Sequence, residues 1–416
     1  MLQTRRGIDG ERPNTLWRPQ AMEASAMRVA LDSAAMRRTI ARGADWVGMD
    51  AHARRSARAT VARTLETLRI AGWRREPLDT AGVRLLHVAA GGRPRRALRF
   101  VNAPGLDSGV QTDEGGHREV NRISGRVELE PWSGHVIRNG RLVEGSFDGY
   151  LRRIPDPVAF RLRRRRVVRR ALSLHHAFPD NYCHFLTIIA PRLVLADAAG
   201  VPRDIPAVVP EALARQRFFR EAVDLGLLGG RDFIVQSADE IIRGEDYYVV
   251  LDSDPLSGVR AVAERLRPGT AIGGRRRIFV DRGPAARNGR RIANRIEVLA
   301  VVRDFGCDVV DAGTLSLSEQ IDLFAGADVL VAPHGAGVSN MAFMASRPAR
   351  IVELFSPRHK IAWFVDLAQV LGHQHTAVLG RAAGPLANSD FEVEPKVLAA
   401  VLGEVLRSRD DAPARH

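Results

Sequence analysis

Cysteine is almost missing from these 416 residues: Cys183 and Cys307 are the only two. Two thiols build neither a disulfide framework nor a Cys-rich zinc module. Lysine is equally scarce. Of 62 basic residues only Lys360 and Lys396 are lysine, which leaves 60 arginines. Such a bias marks GC-rich coding DNA and says little about function. No stretch reaches about 18 uninterrupted apolar residues, the length a membrane-spanning helix needs. The apolar run from Phe185 is broken by Pro191 and Arg192. The opening MLQTRRGIDGERPN has no apolar core, so no signal peptide is expected. The expected location is cytoplasmic, with contact to the inner face of the membrane left open. Three catalytic signatures are also missing. There is no Gly-x-Ser-x-Gly elbow and no H-E-x-x-H, and neither lysine follows a glycine, so there is no Walker A loop.

What is present is an ordinary globular composition, 45% hydrophobic and 26% charged, over a length suited to two or three domains. The formal charge of +14 suits an anionic partner. Residues 1–78 read as a basic helical extension, with two Ala- and Arg-rich helices within 22–75. Apolar residues there recur at helical spacing, as in Val61, Leu65 and Leu68. Its arginines form either a solvated face or a membrane-surface helix. Residues 79–258 hold short runs (VRLLHVA, ALRFVNA, HVIRNGRLVEG) separated by Gly, Pro and Asn, which predict strands and hairpins. The block RLRRRRVVRR (161–170) is either a nucleic-acid patch or the lead into a buried strand. Residues 259–380 alternate most clearly. Strands are expected at 277–281, 307–311, 328–333 and 349–355, with helices at 294–306, at 316–327 and from Val338. Such alternation argues for a doubly wound parallel sheet. Residues 381–416 read as a C-terminal helix and tail.

Several groups are candidates for chemistry. APHGAGVSN (332–340) follows an apolar strand and opens a helix. Gly335 and Gly337 let the backbone approach a ligand closely, and the helix start offers N–H groups to a phosphate. His334, Ser339 and Asn340 add donors; the competing reading is a tight turn. Arg282 follows the strand ending at Asp281, with Arg287, Arg290 and Arg291 in the next loop. An arginine there either clamps a diphosphate or is solvated. Ser316 and Glu319 form a capping box beside Gln320. Glu353 stands inside an apolar strand, where a buried carboxylate needs a partner. It either holds ligand hydroxyls or pairs with an arginine. Asp252 and Asp254 are a weak pair for a divalent cation. His184, with Asp180 nearby, is a candidate general base, and a structural histidine is the competing reading. His373 and His375 have no third metal ligand at useful spacing.

Two blocks together resemble glycosyltransferase family 61, whose bacterial members are often described as capsular polysaccharide biosynthesis proteins. The first is NYCHFLTIIAPRLVLA, in which Asn181, Tyr182, His184, Leu186, Pro191, Arg192 and Leu193 match. The second runs from Arg277 to Pro357. There Arg282, Arg291, Asn294, Glu297, Leu315, Ser316, Glu319, Gln320, Pro333, His334, Gly335, Ala336, Gly337, Asn340, Glu353, Leu354 and Phe355 follow the family pattern in order. The resemblance implies an α/β, GT-B-like fold: two Rossmann-like domains facing across a cleft, here with a helical N-terminal extension. It implies inverting sugar transfer from a nucleotide sugar, usually UDP-linked, to a glycan or lipid-linked acceptor. No cofactor or metal is required, and no nucleic acid is expected as partner.

In that frame Arg282, Arg291 and the loop His334, Gly335, Ala336, Gly337, with Asn340, bind the donor. Glu319, Gln320 and Glu353 contact or support its nucleoside, and His184 and Asp180 are the catalytic candidates. The sequence departs from the family in two places. Ile188 and Ile189 stand where members usually carry an acidic residue, and Asp281 replaces a serine before Arg282. The first departure raises a second reading, a catalytically impaired nucleotide-sugar-binding protein. A third, weaker reading is a basic RNA-binding protein.

Overall fold

The computed structural model describes residues 73–410 apart from 79–81, 91–96, 105, 107–116, 147–156, 253–254, 268–273, 283–288, 346–347 and 387. The helices expected over 22–75, Arg287 and Asp254 lie outside the described residues. Contacts divide the chain into two units. In the smaller, helix Pro157–Arg161 places Phe160 edge-on to Trp73, ring centroids 5.1 Å apart. The larger comprises Arg74–Ile154 and Arg164–His416 and holds two large sheets and a two-stranded ribbon, Arg381–Ala382 with Phe391–Glu392.

The first sheet is built from β1 Arg75–Glu76, β2 Val83–Ala90, β3 His117–Leu129, β4 Val136–Arg138, β5 Arg141–Val143, β6 Arg164–Val167, β7 Arg170–Ser173, β8 Ala207–Pro210, β9 Phe233–Gln236 and β10 Glu240–Asp252. Its order is β1-β5-β4-β3-β10-β7-β8-β9, with β2 beside β3 and β6 beside β10. The hairpin expected in HVIRNGRLVEG forms between β4 and β5. Asn139 and Gly140 both turn with positive φ (50° and 77°), the pairing an Asn-Gly turn favours because it matches strand twist. ALRFVNA is not a strand; Phe100 makes only an isolated bridge, to Ala377. The sheet is mixed. β3 pairs antiparallel with β10 and the β4–β5 hairpin adds antiparallel to β3, whereas β7, β8 and β9 continue parallel from β10.

The arginine block leads into this sheet. Arg164 pairs with Glu240, Arg165 with Glu128, Arg169 with Glu245 and Arg170 with Asp204. Ala171 and Leu172 then turn inward and are fully buried. Much of the block's charge is thus spent on neighbouring carboxylates.

The second sheet is all parallel: β11 Arg276–Val280, β12 Cys307–Val310, β13 Ala327–Pro333, β14 Arg350–Phe355 and β15 Gln374–Leu379, in the order β12-β11-β13-β14-β15. Every residue of β13 and β14 is buried, as expected of strands covered on both faces. Alternate side chains serve different cores. Phe279, Val329, Val331, Val352 and Leu354 pack with the helices Arg295–Asp304 and Pro395–Asp410. Ile278, Val280, Leu330 and Ile351 face the other way, into a core that also takes in Leu172, Phe185, Leu193 and Val250. One continuous core therefore joins the parallel sheet to the 182–198 helix and the first sheet. Helix Leu317–Ala325 starts at Ser316 as the capping box predicts. The helix expected from Val338 is instead the 3-10 helix Ala336–Phe343. Among the described residues no helix is long and apolar enough to cross a membrane.

Candidate active site

From β11 the chain crosses to one neighbour, β12, and from there to the other, β13. Connections leaving adjacent strands in opposite directions open a crevice at the strands' carboxyl ends, the usual ligand position in such sheets. β11 delivers Asp281 and Arg282 there, and β13 delivers His334 to Gly337. Arg282 Nη1 donates to the His334 carbonyl at 2.9 Å. The guanidinium lies so close under Gly335 that a Cβ there would stand 2.8 Å from Nη1. At Gly337 a Cβ would stand 2.9 Å from Val280 Cγ1. Close approach disfavours a side chain at both, more firmly at Gly337, where Val280 is stiff, than at Gly335, where the Arg282 tip would have to move; Gly335, at φ 168°, is ordinary extended backbone. Burial lowers the Arg282 pKa to about 10, helped by Arg290 and opposed by Asp390, so the group stays cationic at neutral pH. Asp281 does not repel an anion here. Its buried carboxylate accepts Arg295 Nε at 2.7 Å, a partner that the sequence reading did not single out.

Glu353 has no exposed surface, and both of its oxygens are engaged within the protein. Oε1 lies 2.5 Å from His334 Nδ1 and Oε2 lies 2.7 Å from His375 Nε2. Its partners are therefore histidines, not the arginine or ligand hydroxyls expected. Burial alone would raise the Glu353 pKa. The charges and hydrogen bonds of His334 and His375 outweigh burial and hold the group below the ordinary carboxylate range. His334 is further fixed by Phe355, His359 and Phe364, whose ring centroids stand 5.1, 5.1 and 5.3 Å away. Nδ1 engaged by the carboxylate leaves Nε2 as the ring's second polar atom.

Three motif residues separated in sequence join in one buried chain. Tyr182 Oη donates to Asn340 Oδ1 at 2.7 Å, and Asn340 Nδ2 donates to Gln320 Oε1 at 2.9 Å. Asn340 is fully buried, so this chain clamps the helix start at Asn181 to the loop helix after Gly335. Ser339 is also turned inward, its hydroxyl donating to the Ala336 carbonyl at 2.5 Å. Tyr182→Phe is expected to leave Asn340 short of a donor and cost about 1–3 kcal/mol. A chemical denaturation midpoint unchanged from wild type would show that the clamp contributes nothing.

Glu319 and Arg291 are engaged elsewhere. Glu319 is exposed and accepts the Ser316 amide at 2.7 Å and hydroxyl at 2.8 Å. Arg291 is tied to Asp390, with Nη2 to Oδ2 at 3.0 Å and the amide to Oδ1 at 2.9 Å. Asp252 ends β10; among the described residues no group of three or more acidic, His or Cys side chains is gathered for a metal ion.

His184 lies at the end of the first helical turn, which Asn181 caps by accepting the amides of Cys183 and His184. Its ring stands 4.9 Å from His176 and 5.2 Å from Phe178. His176 Nδ1 accepts the Phe178 amide at 3.0 Å, which orients that imidazole. Asp180 is exposed on the turn before the helix. Residues Phe185–Ile189 form a π-helical turn, and Ile189 is buried in the shared core while Ile188 is half-buried. The buried Arg192 guanidinium donates to the His175 carbonyl, tying the helix to the segment that carries His176 and Phe178.

The sequence reading missed His375 as the second partner of Glu353, and it left Arg290 without a distinct role and His359 unremarked. His375 is diagonal to Glu353 across β14 and β15, a relation that only strand pairing reveals. Compared with known families, residues 182–352 match the model described as Glycosyltransferase 61. No curated protein matches the chain.

Proposed function

We propose that this chain, whose residues 182–352 form a glycosyltransferase family 61 domain, transfers a sugar with inversion from a UDP-sugar to a cell-surface glycan or lipid-linked acceptor. The observation that carries the reading is the Arg282 guanidinium set under Gly335 at the sheet's crossover crevice. The acceptor hydroxyl oxygen attacks the anomeric carbon from the face opposite the diphosphate. The bond from that carbon to the phosphate oxygen breaks, and its electron pair leaves with the diphosphate. Arg282 and the first amides of the 336–343 helix meet that growing charge with donors already in place, the arrangement that lowers such barriers most. Glu353 acts through His334, fixing which ring nitrogen faces the crevice.

The acceptor proton passes to a base, for which His184 is the candidate, with Asp180 on the turn before it. Residues 79–258 would then be the acceptor side and 259–380 the donor side of a GT-B-like cleft. The net charge of +14 fits an anionic membrane surface on the cytoplasmic side, as capsular polysaccharide assembly would need. A second reading rests on Ile188 and Ile189. Their apolar packing puts no acid where the family usually has one, which suits a protein that binds donor without turning it over.

The test is thermal unfolding against UDP, GDP, CMP and ADP, with and without Mn²⁺, followed by a UDP-sugar turnover assay. Ligand at about 100 times Kd stabilises by about 2.7 kcal/mol, enough to raise the midpoint by a few degrees. A UDP-selective rise with turnover supports transfer, and a rise without turnover favours the second reading. No rise with any nucleotide overturns the donor site.

A further inference from the structure

Two side chains near Arg282, Arg290 and His359, are not among the residues that follow the family pattern. Arg290 follows Gly289, and both stand in the left-handed region, φ 57° and 55°. The Arg290 amide is pinned to the Asn388 carbonyl at 3.0 Å, and its Nε is buried without a hydrogen-bond partner. His359 sits in the turn after β14, its amide bonded to the Ser356 carbonyl at 3.0 Å. Its half-buried ring lies 5.1 Å from that of His334.

The charges that act on His359 come from four places in the fold, and the His334 ring packs beside it. Arg282 comes from the end of β11, Arg290 from the following segment, His334 from the end of β13 and Glu353 from within β14. Glu353 is the carboxylate of this set, and His334 and His375 already use both of its oxygens. Asp390, which Arg282 also feels, is held by Arg291. The two guanidinium groups repel each other, and the carboxylate that opposes this at Arg282, Asp390, is shared with Arg291. An imidazole beside such a pair is kept neutral until an anion enters, because only then does a third positive charge gain more than it loses.

We propose that His359 is a proton-dependent ligand of the donor diphosphate, taking up one proton from solvent as the phosphates settle against Arg282 and Arg290 and then donating N–H to a phosphate oxygen. The inference rests on the reading that this crevice binds the donor's diphosphate. In the free protein burial, then Arg290, His334 and Arg282, push the His359 pKa down to about 4, while Glu353 opposes them. The bound anion raises it. A group whose pKa is higher in the complex favours binding at low pH, and that contribution fades as pH rises through the bound value.

The experiment is titration calorimetry of the full chain with UDP in buffers of different ionisation enthalpy, between pH 6 and 8. Wild type is compared with His359→Gln and His359→Lys. Protons exchanged by UDP's own terminal phosphate are common to all three and cancel in the differences. Wild type is expected to take up at least about half a proton more than His359→Gln at pH 6.5. Its UDP affinity should also fall about threefold or more from pH 6 to 8 relative to that variant. His359→Lys carries its charge throughout, so its affinity at pH 8 should stay close to that at pH 6 after the same correction. Equal proton counts and parallel pH profiles in wild type and His359→Gln would overturn the proposal while leaving the donor site intact. If either variant fails to fold, the other still gives the comparison. Absence of UDP binding by wild type would instead overturn the donor-site reading on which this rests.

Discussion

Arg282→Ala is expected to lower kcat/KM for the UDP-sugar by about 10²–10³, with most of the loss in kcat. In the proposed reaction the leaving diphosphate gains charge in the transition state, and removing one preorganised donor from such a site typically costs about 2.7–4 kcal/mol. The fold should survive the change. Among the described residues the Arg282 side chain makes one hydrogen bond, to the His334 carbonyl, and its removal relieves repulsion with Arg290. A stability change of about 1 kcal/mol or less is therefore expected. Arg282→Lys should fall between the two, because an ammonium keeps the charge but loses the planar fork that bonds two phosphate oxygens together. Steady-state kinetics with a UDP-sugar, beside calorimetric UDP binding, reads the result directly. Turnover by Arg282→Ala at the wild-type rate would remove Arg282 from the mechanism and with it the main support for the donor site.

The parts of this arrangement that could be read beforehand were local. The strands at 276–280, 327–333 and 350–355 and the helices between them follow from periodicity, with ends within one or two residues of expectation. The Ser316–Glu319 capping box is complete within four residues. What was not legible depends on which strands become neighbours. Nothing in the spacing places β11 between β12 and β13, yet that order makes the crevice. Tyr182 reaches Asn340 across 158 residues, and Arg295 neutralises Asp281 from the next helix. Patterns named the Gln320, Asn340, Glu319 and Arg291 side chains as donor-binding or supporting residues, but not the protein groups to which each also bonds in the folded chain. A motif records that a residue type is needed, and packing decides whether a ligand or the protein itself needs it.

Glu353 gives the clearest case and the largest expected loss of stability. Glu353→Ala should destabilise the protein by about 3–5 kcal/mol, because it strands two histidines in an interior arranged around a carboxylate. Glu353→Gln keeps the shape but offers one carbonyl and one N–H₂ to the same two rings. One histidine must then change tautomer or lose its bond, at a cost of about 1–3 kcal/mol. That variant separates the two roles. If Glu353 positions His334 at the diphosphate, the glutamine protein should fold, bind UDP weakly and lose kcat beyond what its small loss of stability explains. The pH dependence supplies an independent check. The folded pKa of Glu353 is depressed, so its stabilising contribution is present above the unfolded carboxylate value of about 4.3 and is lost as pH falls through the folded value. Acid unfolding of wild type should therefore steepen below that point more than that of Glu353→Gln. Equal acid profiles, or an alanine variant as stable as wild type at pH 7, would show that the buried His334–Glu353–His375 group does not hold this end of the sheet together.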